Sequence, residues 1–342
     1  GWDWLGRFGS GTVYDRTPAA ETAGRIGDAE AVLTNKTVID RAVMANCPGL
    51  RYIGVMATGY NVIDLEAARE RGIVVTNVPG YSTDSVAQLT FAMMLYFANR
   101  VDCFNDWVKQ GGWQACPDFS RLVTPIFELA GKTVGIIGFG AIGRRVAEMA
   151  LAFGMRVLAF SRHLRQADCP EGVEAASVDA ILRRSDFVTL HCPLTEETAG
   201  IIGREALHTM KKTAYLINTA RGPLIDEAAL REALRDGVIA GAAVDVASRE
   251  PIAADSPLLG APNLLMVSWI CGPPSACLEC VLWFGLLSSP VPAAASARLL
   301  PGALPGPAGA QRCSTAPAAS RLSGRPPASR RAAVWPWLCP AT

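Results

Sequence analysis

The chain has 342 residues, half of them hydrophobic, and a formal net charge of +1. That length suits two domains of ordinary size with real cores, and the near-zero charge excludes bulk attraction to nucleic acid or an anionic membrane surface. No run reaches the roughly 18–20 apolar residues needed to span a bilayer, and no positive-then-apolar leader opens the chain, so neither an anchor nor a signal peptide is expected. Charge is unevenly spread: from Trp269 onward there are six Arg, one Glu and no Lys or Asp, against a net −4 for the residues before. The ten Cys are scattered, five before Trp269 and five after, which is the usage of a reducing compartment and points to the cytoplasm. Cys277-Leu-Glu-Cys280 has the spacing of a metal pair, but no His follows it, so no metal site is expected.

In chain order, short β-rich runs at 12–15 (TVYD), 31–35 (AVLTN), 51–56 (RYIGVM) and 74–78 (VVTNV) alternate with helical stretches near 20–29, 40–47 and 64–72. Such alternation predicts a parallel sheet with crossover helices. One long helix is predicted from Thr83 to Gln110, stopped by Gly111-Gly112. A second series begins at Lys132, with six strands at KTVGIIGFG, RVLAFS, FVTLHCP, AYLINTA, GAAVDV and NLLMVS and helical stretches between them. After Ser268 the pattern stops. Twelve of the 23 Pro lie in the last 74 residues, interleaved with Ala, Ser, Gly and Arg. Disorder is expected from about Pro290, and the composition fits a shifted reading frame better than a functional low-complexity tail.

Gly138-Phe-Gly140-Ala-Ile-Gly143 is a G-x-G-x-x-G that follows an apolar strand and opens an amphipathic helix, the context that makes this motif specific for a dinucleotide. Gly138 permits the tight turn, Gly140 lets a pyrophosphate approach the backbone, and Gly143 lets helix and strand pack closely. The N–H groups around Ala141 and Ile142 then face the phosphates. The next strand ends Phe160-Ser161-Arg162-His163, with Ser161 placed 18 residues after Gly143 and no acid there to bind the ribose hydroxyls. A hydroxyl beside a guanidinium accepts a 2′-phosphate that an Asp would repel. NADP is therefore the expected cofactor, with NAD the alternative if Arg162 is merely solvated. The fold class is α/β: a doubly wound Rossmann NAD(P)-binding domain over 101–270, a smaller flavodoxin-like domain over 1–100, and an aberrant tail over 271–342.

The segments VMATGYNVID (55–64), NVPGYSTDSVAQLTFAMML (77–95), ELAGKTVGIIGFGAIGR (128–144), LHCPLTEETAGII (190–202), INTARGPLIDEAAL (217–230) and VDVASREP (244–251) resemble, in order, those of the D-isomer-specific 2-hydroxyacid dehydrogenases. Within that family the glycerate dehydrogenase/hydroxypyruvate reductase group is the most similar. The resemblance covers about 12–268 and makes 1–100 the substrate domain. It implies NAD(P)-dependent reduction of a small 2-oxo acid, hydroxypyruvate or glyoxylate, to the D-2-hydroxy acid, by a homodimer built through the nucleotide domain. It implies roles as well. Arg221 pairs with the substrate carboxylate and carbonyl, Glu250 holds the catalytic histidine, and Ala57, Thr58 and Gly59 cradle the substrate carboxylate. Thr90, Cys192, Pro193, Thr219, Ala220 and Asp245 touch the cofactor.

One part of the family pattern is missing. The Pro-His pair after the last strand of the nucleotide domain is replaced by Trp269-Ile270-Cys271-Gly272, and the whole chain has three His, at 163, 191 and 208. None stands where the acid/base belongs. Activity is expected to be impaired, and a dinucleotide-binding protein without catalysis is the alternative.

Overall fold

The computed structural model describes residues 10–14 and 16–268, and the backbone of Ala297–Arg298 and Arg331–Val334. The replaced segment 269–272, the Cys277/Cys280 pair and the rest of the tail expected to be disordered lie outside the described residues. Among the described residues, no helix is long and apolar enough to cross a membrane. The chain divides into two compact units, one running from Ser82 to Gly272 and the other taking the residues up to Tyr81 and the tail strands. The division thus falls ahead of the 100/101 boundary expected from the sequence.

The first unit is a parallel sheet. Its strands are β1 (Ser10–Val13), β2 (Ala31–Thr34), β3 (Tyr52–Val55) and β4 (Val74–Thr76), with helices α1 (Thr22–Ile26), α2 (Arg41–Ala45) and α3 (Leu65–Glu70) between them. The expected elements are present within a few residues of their predicted bounds. Asp40 and Asp64 start α2 and α3 by accepting hydrogen bonds from the Val43 and Ala67 amides, each at 2.8 Å, which satisfies donors a helix start leaves open. Ile26, Val32, Ile39, Met44, Ile53 and Val55 fill the core. The tail segment Arg331–Val334 pairs parallel with both β1 and β2, and Ala297–Arg298 also joins the sheet. Both fall in the stretch expected to be disordered. Neither segment contains Pro, so their amides can meet the row of unpaired groups that an edge strand presents.

The second unit opens with α4 (Thr83–Asn99) and α5 (Val101–Lys109). One helix was expected here. Arg100 adopts a left-handed conformation with φ +46°, ends α4 as a left-handed cap, and restarts the chain in a new direction. The sheet follows, with β5 (Thr133–Ile137), β6 (Arg156–Phe160), β7 (Val173–Ala175), β8 (Phe187–Leu190), β9 (Tyr215–Asn218), β10 (Gly241–Val244) and β11 (Leu264–Met266). Between them lie α6 (Ala141–Ala152), α7 (Val178–Arg184), α8 (Arg204–Thr209) and α9 (Glu227–Arg235). All seven strands are parallel, in the order β11-β10-β9-β8-β5-β6-β7. The sequence showed six; the three-residue edge strand β7 is the addition. Both faces carry apolar cores, one beneath α4 and α6 and the other beneath α8 and α9, as a doubly wound sheet requires.

From β5 the chain proceeds outward through β6 and β7, then returns to β8 and proceeds the other way. The crevice between the carboxyl ends of β5 and β8 is therefore the topological switch point, where sheets of this kind bind ligands.

Candidate functional site

The turn after β5 is built from glycines for steric reasons that can be read atom by atom. Gly138 has φ +107°, and a β-carbon on it would stand 2.3 Å from the Cys192 amide nitrogen. A β-carbon on Gly143 would stand 2.2 Å from the Gly138 carbonyl oxygen. Gly140 differs: nothing lies within 4 Å of the position its β-carbon would take. It is also the N-cap of α6 and contributes no side-chain hydrogen bond to that helix. Its Ala141, Ile142 and Gly143 amides thus begin a helix with open space ahead of them, the arrangement that favours an anion. Two crowded glycines and one open one form a cradle that fits a dinucleotide pyrophosphate.

Across the crevice, Cys192 and Pro193 follow β8. Cys192 is half-buried, and burial pushes its thiol up from its ordinary value. Its backbone is what closes on Gly138. His191, just before it, has both ring nitrogens buried without a hydrogen-bond partner among the described residues. Burial lowers its pKa to about 4, so the ring is neutral at physiological pH and is not the imidazolium that a general acid would need to be. His163 and His208 are exposed, on the turn beyond β6 and in the last turn of α8.

Three of the expected cofactor contacts cluster at the carboxyl ends of β9 and β10. Thr90 and Thr219 are buried and their hydroxyls lie 3.3 Å apart; Thr90 also donates to the Val86 carbonyl at 2.9 Å. Asp245 is buried at the end of β10, where its amide donates to the Asn218 carbonyl. Register places His191 beside Thr219, since Leu190 pairs with Asn218.

Arg221 follows β9 in a turn that Asn218 braces. The Asn218 side chain donates to the Arg221 carbonyl at 2.8 Å and accepts from the Ala220 amide at 3.0 Å. The Arg221 guanidinium donates to the Ala220 carbonyl at 2.7 Å, leaving further donors for a carboxylate. A β-carbon on Gly222 would stand 2.0 Å from the Ala247 carbonyl carbon, so only glycine lets this turn press against the loop that carries Glu250. There the Glu250 carboxylate accepts from the Ala247 amide at 3.3 Å, and Glu227 accepts from the Ser248 amide.

Ser161 is half-buried beyond β6, and Arg162 next to it is exposed and paired with Glu197. In the first unit, the Thr58 hydroxyl donates to the Val78 carbonyl at 3.0 Å, and Asn77 donates to the Thr58 carbonyl at 2.8 Å. These bonds pin the turn Ala57-Thr58-Gly59. Sequence reasoning missed the bracing by Asn218, although it opens the NTARG motif, and missed Glu197, which stands 35 residues from its partner.

Comparison with known proteins bears on the family and the fold. Residues 91–271 match the family described as D-isomer specific 2-hydroxyacid dehydrogenase, NAD binding domain. Hydroxypyruvate reductase of Blautia hydrogenotrophica is 43% identical, over 78% of this chain and 85% of that protein. Among solved structures, the TT0316 protein of Thermus thermophilus superposes with a TM-score of 0.70 at 38% identity, covering 78% of this chain and 83% of that one. D-lactate dehydrogenase of Aquifex aeolicus, complexed with NAD and lactic acid, superposes with a TM-score of 0.66 at 33% identity, covering 78% and 82%.

Proposed function

Because the chain belongs to the D-isomer-specific 2-hydroxyacid dehydrogenase family, we propose that it acts on hydroxypyruvate or glyoxylate, reducing the 2-oxo acid to its D-2-hydroxy acid. The observation that carries this is the crevice between β5 and β8, with Gly138 and Gly143 crowded and Gly140 open. A nicotinamide dinucleotide, when bound, supplies the hydride that C2 of the substrate receives. The chain's own residues do the rest. The Ala141 and Ile142 amides hold the phosphates. Thr90, Cys192, Pro193, Thr219, Ala220 and Asp245 line the place for the nicotinamide half. Ser161 and Arg162 favour a 2′-phosphate, hence NADPH over NADH. Arg221 forks hydrogen bonds onto the carboxylate and the carbonyl oxygen and stabilises the negative charge that develops there; in the first unit, the Ala57, Thr58 and Gly59 turn offers its amides to an anion.

The sequence has Trp269-Ile270-Cys271-Gly272 where the resemblance calls for the Pro-His pair that would protonate the nascent alkoxide. We propose that turnover is reduced by about 10²–10⁴-fold for this reason. The same combination, a formed cofactor crevice without an acid/base, favours a second reading: dinucleotide binding without turnover. The working form we propose is a cytoplasmic homodimer. The exposed apolar side chains of Val101, Val108, Trp113, Phe119, Leu122 and Ile126 support self-association.

Titration of the purified full chain with NADPH and NADH by nicotinamide fluorescence, followed by hydroxypyruvate and glyoxylate reduction assays, tests both readings. Failure to bind either dinucleotide contradicts both. Binding with slow reduction supports the first, and binding with none supports the second. Resequencing the message across codons 265–275 decides whether the missing Pro-His reflects a shifted frame.

A further inference from the structure

Arg162 lies two residues past the end of β6 and is ion-paired with Glu197, in the turn that follows β8. In the sheet, β5 stands between β6 and β8. The pair therefore joins the two neighbours of the strand that carries the Gly138 turn, at the carboxyl end of the sheet where the crevice opens. Glu197 is set in a held turn. Thr198 Oγ1 donates to the Pro193 carbonyl at 2.7 Å and accepts from the Thr195 amide at 2.8 Å, and the Ala199 amide donates to the Thr195 carbonyl at 2.9 Å. The other guanidinium of this turn, Arg165, is occupied by Asp168 at 2.9 Å. The Arg162 and Glu197 side chains are 63% and 70% exposed, so their attraction does little for the fold and can be exchanged for another partner.

We infer that Glu197 is the residue that sets cofactor preference, by competing with the ribose 2′-phosphate for Arg162. This rests on the reading of the crevice as a dinucleotide site. A 2′-phosphate must take the guanidinium from a carboxylate already bound to it, and must then stand beside that carboxylate's charge. A 2′-hydroxyl meets neither obstacle and can donate a hydrogen bond to Glu197. The pair thus offsets the preference for NADPH that Ser161 and Arg162 create, and the chain accepts both cofactors with a narrow ratio between them.

The test uses the full chain as wild type, Glu197→Gln, Arg162→Gln and the double variant, each titrated with NADPH and NADH by fluorescence at low and physiological salt. Removing one like charge about 4 Å from the phosphate in a watery setting tightens NADPH binding by about fivefold, with NADH unchanged or weaker in Glu197→Gln. Arg162→Gln weakens NADPH selectively, and in the double variant the gain from removing Glu197 disappears. Thermal unfolding of Glu197→Gln matches wild type, as an exposed pair requires. If Glu197→Gln leaves the NADPH-to-NADH ratio unchanged, or tightens both alike, the inference is overturned while NADH binding keeps the dinucleotide site standing. A wild-type chain that binds neither cofactor overturns both.

Discussion

The amide nitrogen of Cys192 lies 2.3 Å from where a β-carbon on Gly138 would stand. The His191–Cys192 backbone thus presses directly on the turn after β5. Gly138→Ala must both break that contact and place an L side chain at φ +107°, costing about 2 kcal/mol or more. Its expected outcome is a lowered Tm and lost dinucleotide binding. Gly140→Ala is the informative partner, since its β-carbon meets nothing within 4 Å. It should unfold like wild type and still bind dinucleotide at least about tenfold more weakly, because the methyl fills space a pyrophosphate needs. Equal Tm losses in the two variants would contradict this division.

His191 makes the stability of the second unit acid-sensitive. Burial holds its folded pKa near 4, against an ordinary 6.5. Between those values the unfolded chain binds the proton and the folded chain does not, so stability is full above about 6.5 and falls as pH drops toward 4. The full loss is about 3 kcal/mol. His191→Leu removes two buried nitrogens that have no hydrogen-bond partner among the described residues and should flatten that limb without destabilising the chain at pH 7.5. Denaturant unfolding between pH 4.5 and 7.5 checks it, and an unchanged slope in the variant would count against the assignment.

Asp186 presents the opposite electrostatic case. Burial raises its carboxyl pKa, but this is outweighed by the Lys211 ammonium at 2.8 Å and the Thr133 amide at 2.8 Å, which hold it below the usual carboxylate value. Its stabilising effect is present above the unfolded carboxylate pKa and is lost as pH falls through the lower folded value. Asp186→Ala should cost about 1–3 kcal/mol at pH 7, read as a shift in denaturation midpoint. No shift would mean that the β5 entry is held by packing alone.

Arg221 is expected to separate substrate from cofactor. Arg221→Gln retains the Asn218 brace on the neighbouring backbone and should leave dinucleotide affinity within about twofold, while weakening oxalate binding to the dinucleotide-loaded chain by about tenfold or more. Calorimetry with oxalate measures the second effect. Parallel loss of both affinities would make Arg221 a fold residue.

Much of this was legible in the sequence because it is local. A glycine triplet between an apolar strand and an amphipathic helix states its own geometry, and NTARG places Arg221 one turn after β9. What was not legible depends on context. Strand β7 is three residues at a sheet edge, too short for a period to show. The break at Arg100 uses a non-glycine left-handed residue, so no Gly or Pro marked it. The pairing of Arg331–Val334 with β1 and β2 and the reach of Glu197 to Arg162 join residues far apart in the chain, which no window of sequence contains. The division after Tyr81 was missed because helix periodicity does not say which unit a helix packs into.

The central proposal is that a cofactor crevice coexists with the loss of the Pro-His proton donor that the family resemblance calls for. The most direct test measures both on one preparation: dinucleotide affinity by fluorescence, and the single-turnover rate of hydroxypyruvate reduction, beside the Blautia hydroxypyruvate reductase under the same conditions. We predict comparable dinucleotide affinity and a reduction rate lower by about 10²–10⁴-fold. Reduction at the rate of that relative would contradict the claim, by showing that another group in this chain supplies the proton.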